Sequence, residues 1–153
     1  MKRFLASGFG IGLFWRTYFG DKKRRWHFSC FLFALITYVL NLNVLELSIL
    51  FIVLVLTYLV SVDDNDASED PSWITLDEIV GMSLVTIASP SRLLPLLAGF
   101  LVFRVSDIMK QPKFVAELEK YPGKLGVLYD DLGAGLMGLL SATVVNQIIN
   151  LTL

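Results

Sequence analysis

Along its length the chain alternates long apolar stretches with short polar ones. Residues 28–40 are apolar, Asn41-Leu-Asn43 interrupts them, and 44–62 are apolar again apart from Glu46 and a few hydroxyls. This predicts two helices joined by a short asparagine turn. Each is near the lower limit of a membrane span, which needs roughly 20 residues. Trp26 and its neighbouring cations can extend the first by snorkelling. Glu46 falls beside the turn, which puts it at the far interface rather than at the bilayer centre. From Ile79 the chain is apolar to Phe103, broken only by Pro90-Ser-Arg-Leu-Leu-Pro95. That pattern predicts a second hairpin with Arg92 at its tip and arms short for a bilayer. The last apolar segment, 132–153, has spanning length. It opens with Gly133, Ala134, Gly135 and Gly138, small residues that let helices approach closely.

The polar stretches are not uniform. Residues 1–27 interleave Phe14, Trp15, Tyr18, Phe19 and Trp26 with Arg16 and Lys22-Lys-Arg-Arg25, a mixture suited to a headgroup layer. Gly8-Phe-Gly-Ile-Gly12 permits tight turns and close backbone approach to an anion, or simply close helix packing. Residues 63–71 read as an acidic loop. Ser72 or Thr75 can cap a helix opening at Leu76, with Asp77 and Glu78 in its first turn, where the helix dipole favours anions. The longest polar stretch is 104–131. Its Arg104, Asp107 and Lys110 recur every three residues and share one helical face. Ala116–Tyr121 can continue that helix until Pro122-Gly123 ends it, and Asp130-Asp131 stand where the final apolar segment begins.

If 28–62 and 79–103 are both hairpins, residues 1–27, 63–78 and 104–131 all emerge on one side. The cations at 22–25, 104, 110, 113, 120 and 124 place that side in the cytoplasm. Three acidic clusters would then meet at one membrane face. The expected architecture is a single all-α domain, 1–153, forming an integral-membrane helical bundle. With 55% apolar residues, a water-soluble helical domain is the weaker reading, and a net charge of −1 excludes nucleic acid as a partner.

Elimination narrows the chemistry. Cys30 is the single cysteine and lies in an apolar run, so neither a disulfide nor a thiol nucleophile is expected. His27 is the single histidine, and zinc lacks the ligands it needs. No phosphate-binding Gly-Lys-Ser/Thr loop occurs. Carboxylates remain: Asp77, Glu78, Asp107, Asp130 and Asp131. Hard oxygen donors of this kind suit Mg²⁺ held jointly with a substrate phosphate, and Arg104 and Lys110 supply the complementary positive charge. The same acids at helix starts also fit plain capping roles.

Three ordered blocks go further: Ile74-Thr-Leu-Asp-Glu-Ile-Val-Gly81, Phe103-Arg-Val-Ser-Asp-Ile-Met-Lys110, and Gly123-Lys-Leu-Gly-Val-Leu-Tyr-Asp-Asp-Leu-Gly-Ala-Gly135. In order and internal spacing they resemble the phosphatidylglycerophosphatase A family. That resemblance implies Mg²⁺-dependent removal of the terminal phosphate from phosphatidylglycerophosphate, in a multi-pass protein of the bacterial inner membrane whose site faces the cytoplasm. It implies metal ligation by Asp77, Glu78, Asp130 and Asp131, and catalytic roles for Asp107 and Asp131. Arg104, Lys110, Gly123 and Gly126 would bind the substrate. Either an activated water or an aspartate could serve as nucleophile.

The departures are specific. Where the family carries a Pro-x-x-Pro-Gly-Thr-x-Gly-Ser loop, this chain has Trp15-Arg-Thr-Tyr-Phe-Gly-Asp-Lys-Lys23. Lys124 replaces a glycine, and Lys110-Gln-Pro-Lys113 replaces Lys-Pro-x-Pro. Either Arg16 and Lys124 supply phosphate-binding charge differently, or substrate choice has shifted, or activity has been lost and the protein binds anionic lipid or a partner. A phosphatidyl-group transferase is disfavoured, because its Asp-Gly-x-x-Ala-Arg element is missing.

Overall fold

The computed structural model describes residues 1–10, 28–68 and 74–152. The described elements are all helical: α1 (Lys2–Ala6), α2 (Phe28–Val39), α3 (Val44–Ser61), α4 (Asp64–Ser68), α5 (Leu76–Ala88), α6 (Leu93–Met109), α7 (Lys113–Leu118) and α8 (Lys124–Thr152).

Both expected hairpins form. Between α2 and α3 the chain reverses at Asn41, whose φ of 53° is one that asparagine tolerates. Asn43 then caps α3 reciprocally. Its Oδ1 accepts from the Glu46 N–H at 3.0 Å, and Glu46 Oε2 accepts from the Asn43 N–H at 2.9 Å. That capping box accounts for the acid near the turn. Between α5 and α6, Ser91 takes a φ of 58° and Arg92 stands at the N-cap of α6. Pro95 falls in the first turn of α6, where a backbone N–H would have no intrahelical acceptor.

The two turns lie at the same end of the bundle. Ser91 Oγ donates to Asn41 Oδ1, and Arg92 Nη1 reaches Asn150 Oδ1 near the end of α8 at 2.6 Å. The polar segments gather at the other end. There Lys2 pairs with Asp63 at 3.1 Å, the Thr75 N–H donates to Ala6 O at 3.2 Å, and the Lys124 N–H donates to Asp64 Oδ1 at 3.0 Å.

Helix α8 is the axis. At 29 residues it is about 43 Å long, and both α5 and α6 make their most extensive contacts with it. Close approach depends on glycine. A Cβ on Gly135 would lie 2.4 Å from Gly81 O, and one on Gly138 would lie 2.7 Å from Gly99 O. One buried cluster joins Tyr58, Leu76, Ile79, Val80 and Leu128, and a second joins Met82, Val85, Phe103, Ala134 and Ala142.

Apolar residues also cover the outside. Leu45, Ile49, Ile52, Leu56 and Val60 form an exposed stripe on α3, as do Leu136, Leu140, Val144 and Ile148 on α8. Val44–Ser61 and Lys124–Thr152 are long and apolar enough to cross a membrane, and only 22% and 28% of their most apolar windows are buried in the fold. Helices forming a water-soluble core would show the opposite, since contiguous apolar patches of that extent are rarely left to water.

Two local features differ from the sequence-based expectation. The helix through 104–110 does not continue into Ala116–Tyr121. Lys110 adopts a left-handed φ of 51° and Pro112 follows it, so α7 is a separate short helix. The final helix starts at Lys124, eight positions before Leu132. Gly123, at φ 65°, makes the break, and Leu128 then docks in the cluster with Tyr58. Asp130 and Asp131 therefore stand well inside a helix.

Candidate active site

Three helices deliver the acidic side chains to the polar end. Asp77 and Glu78 occupy the first turn of α5 and are buried. Arg104 and Asp107 lie in the last turns of α6, with Lys110 at its C-cap. Asp130 and Asp131 are buried on the early part of α8. The glycine contacts explain why these groups meet. Gly81 follows Asp77 by one turn, Gly135 follows Asp131 by one turn, and Gly81 and Gly135 are in backbone contact.

The charges form a connected network. Arg104 Nη1 donates to Asp107 Oδ2 at 2.7 Å and lies 4.0 Å from Glu78 Oε1. Lys110 Nζ is 3.7 Å from Asp107 Oδ1 and pairs directly with Asp130 Oδ2. Asp131 is within electrostatic reach of Asp77 and Asp107, which repel its charge, and of Lys110 and Arg104, which favour it. The expected face of Arg104, Asp107 and Lys110 is therefore real, and the acids of α5 and α8 join it. In this cluster carboxylates outnumber cations, which favours an additional cation beside the described residues.

The donor set fits a hard divalent cation in kind. It is all carboxylate oxygen, and one buried oxygen of Asp130 and one of Asp131 have no hydrogen-bond partner. The side chains are not yet arranged as a coordination shell. Among the described residues, no three Asp, Glu, His or Cys groups converge on a point that could hold an ion. Lys110 and Arg104 stand instead among the carboxylates and compensate them.

The two glycines expected to touch substrate have packing roles. Gly123 lies against Asp64, whose Oδ1 would be 2.4 Å from an added Cβ, and Gly126 lies against the carbonyls of Tyr121 and Glu119. Lys124 is also turned elsewhere. Its ammonium donates to Leu59 O at 2.7 Å near the end of α3, while its carbonyl accepts from Tyr58 Oη at 2.9 Å. Gly8 and Gly10 both take positive φ, and Gly8 sits against Thr75 and Ile79 at the start of α5. Gly8 thus packs at the start of the helix that carries Asp77 and Glu78, while Gly10 packs on Phe4. Gly12, Arg16, the 15–23 loop and Lys22–His27 lie outside the described residues.

One participant was not foreseen. Ser29, on α2, donates its hydroxyl to Glu78 Oε2 at 3.2 Å. Nothing in the sequence marks it, since it is a lone hydroxyl at the head of an apolar run with no spacing relationship to the acids.

Comparison with known proteins places the chain in a family. The family model described as phosphatidylglycerophosphatase A matches residues 4–146. A Bacteroides thetaiotaomicron protein provisionally named phosphatidylinositol-3-phosphatase is 34% identical over 84 residues, covering 53% of this chain. The match spans about half of that relative's length, 52%. No solved structure matches the chain.

Proposed function

This chain belongs to the phosphatidylglycerophosphatase A family, and from that premise we propose that it hydrolyses the phosphomonoester of a membrane lipid. The preferred substrate is phosphatidylglycerophosphate, giving phosphatidylglycerol and inorganic phosphate, with Mg²⁺ as the cofactor. The observation that carries the reading is the meeting of Asp77-Glu78, Arg104-Asp107 and Asp130-Asp131 from three helices at one end of an apolar bundle. A lipid phosphate suits that position, because its tails remain in the bilayer while its headgroup reaches the polar end.

Each side chain has a role that follows from its surroundings. Arg104 and Lys110, already among the carboxylates, would turn part of their charge to the phosphate oxygens, Arg104 in bidentate fashion. Asp107 orients Arg104 through the 2.7 Å contact, and its Oδ1 is the proposed acceptor of the proton from an attacking water. Asp77, Glu78, Asp130 and Asp131 are the proposed Mg²⁺ ligands, and they would have to close inward from their present positions. Mg²⁺, when bound, polarises a phosphoryl oxygen and offsets the charge that builds up there. The site would face the cytoplasm of a bacterial inner membrane, where the cations of this end favour it.

A second reading concerns substrate. The relative named for a phosphatidylinositol 3-phosphate activity makes that lipid the natural competitor. Purified protein should be assayed for phosphate release from phosphatidylglycerophosphate, phosphatidylinositol 3-phosphate, phosphatidic acid and lysophosphatidic acid. Highest kcat/KM on phosphatidylglycerophosphate supports the proposal. A preference for phosphatidylinositol 3-phosphate replaces its substrate, and no release from any of the four favours a non-catalytic lipid-binding role.

A further inference from the structure

Among the described residues, most buried hydroxyls turn back on their own helix. Thr37 bonds Ala34 O, Ser61 bonds Thr57 O, Ser83 bonds Val80 O, Thr86 bonds Ser83 O and Ser89 bonds Val85 O. This is the ordinary way to satisfy a hydroxyl in apolar surroundings. Ser29 does otherwise. It stands at the head of α2 with 4% of its surface exposed, and its hydroxyl crosses to a carboxylate on α5, Glu78 Oε2, at 3.2 Å. The other oxygen of Glu78 faces Arg104 at 4.0 Å, and Arg104 in turn holds Asp107 at 2.7 Å.

We propose that Ser29 is a positioning residue of the phosphatase site: its hydroxyl pins one oxygen of Glu78 so that the other is presented to Arg104. A glutamate has three side-chain torsions, and a partner fixed on a separate rigid element narrows the range of positions its carboxylate can take. Helix α2 is that element. It packs on α5, so the first hairpin supports the reacting end without contributing an acid from its described residues. The proposal rests on the lipid-phosphatase reading and acts through Glu78.

The test compares Ser29→Ala and Ser29→Thr, alone and in a Glu78→Met background. Phosphate release from phosphatidylglycerophosphate in mixed micelles is resolved into kcat and KM, and thermal unfolding is followed alongside. Ser29→Ala should lower kcat roughly tenfold, the scale of one hydrogen bond to a charged group. KM should change by less than about twofold, as for an interaction that matters in the transition state. Ser29→Thr, which keeps the hydroxyl, should restore most of the rate. In the Glu78→Met background, which has no oxygen to accept the Ser29 hydroxyl, Ser29→Ala should change neither the residual rate nor the thermal midpoint further, because the two residues act as one unit. An unchanged kcat for Ser29→Ala overturns the proposal. So does an equal loss in both backgrounds, or a threonine variant no better than alanine at an unchanged midpoint. Wild-type protein that releases no phosphate from any of the four lipids named above sinks the phosphatase reading and takes the proposal with it. Normal wild-type turnover with an unaffected alanine variant sinks the proposal alone.

Discussion

Gly81 on α5 and Gly135 on α8 touch backbone to backbone: a Cβ on Gly135 would stand 2.4 Å from Gly81 O, and one on Gly81 would stand 2.5 Å from Asp131 O. This contact lies one helical turn from both Asp77 and Asp131 and sets their separation. Gly81→Ala must therefore push α5 away from α8, since a carbonyl cannot rotate aside as a side-chain tip can. The expected cost is about 1–3 kcal/mol of stability, the usual scale of overpacking, together with loss of phosphate release. Gly133→Ala is the control, because its Cβ would meet side-chain atoms and no backbone: the Cδ1 end of Leu118 at 2.8 Å, with Phe114 at 3.4 Å and Val115 at 3.6 Å. It should keep both properties. Thermal unfolding in detergent and a phosphate assay check the pair; equal behaviour of the two variants would remove the glycine contact from the account.

Asp131 is buried, shares its field with Asp77 and Asp107, and has an oxygen with no hydrogen-bond partner. Asp131→Asn keeps the shape and removes the charge. Phosphate release should be lost, because a proposed Mg²⁺ ligand has lost its charge, while membrane insertion and thermal midpoint hold. Retained turnover would take this residue out of the mechanism.

Lys124 replaces a glycine of the family pattern, and from sequence it could be read as a substitute phosphate-binding cation. Its ammonium is instead tied to Leu59 O at the end of α3, at 2.7 Å, where a cation also complements the helix dipole. Lys124→Ala should cost about 0.3–1 kcal/mol of stability and leave KM for the lipid phosphate unchanged. A several-fold rise in KM, measured at fixed ionic strength, would return the side chain to the site.

How much of this was legible beforehand differs by element. Both hairpins and their common end followed from apolar runs interrupted by Asn41–Asn43 and Pro90–Pro95, because backbone breaks and burial are local properties of a sequence. The convergence of Asp77, Asp107 and Asp131 followed from that topology and from the order of the motifs. The start of α8 did not, since the charges of Lys124, Asp130 and Asp131 masked a helix held by the docking of Leu128 beside Tyr58. The direction of Lys124 and the bond from Ser29 to Glu78 depend on which helix lies beside which, and no spacing rule within one segment encodes that.

The central claim is that carboxylates from α5, α6 and α8 act together as one Mg²⁺-dependent lipid phosphatase site. Its most direct test is inorganic phosphate release by the purified protein from phosphatidylglycerophosphate in micelles, first stripped of divalent ions with a chelator and then supplied with Mg²⁺. The account predicts no release after stripping, recovery with added Mg²⁺, and no recovery in Asp131→Asn. Turnover that persists through chelation, or is absent with Mg²⁺ present, would contradict it.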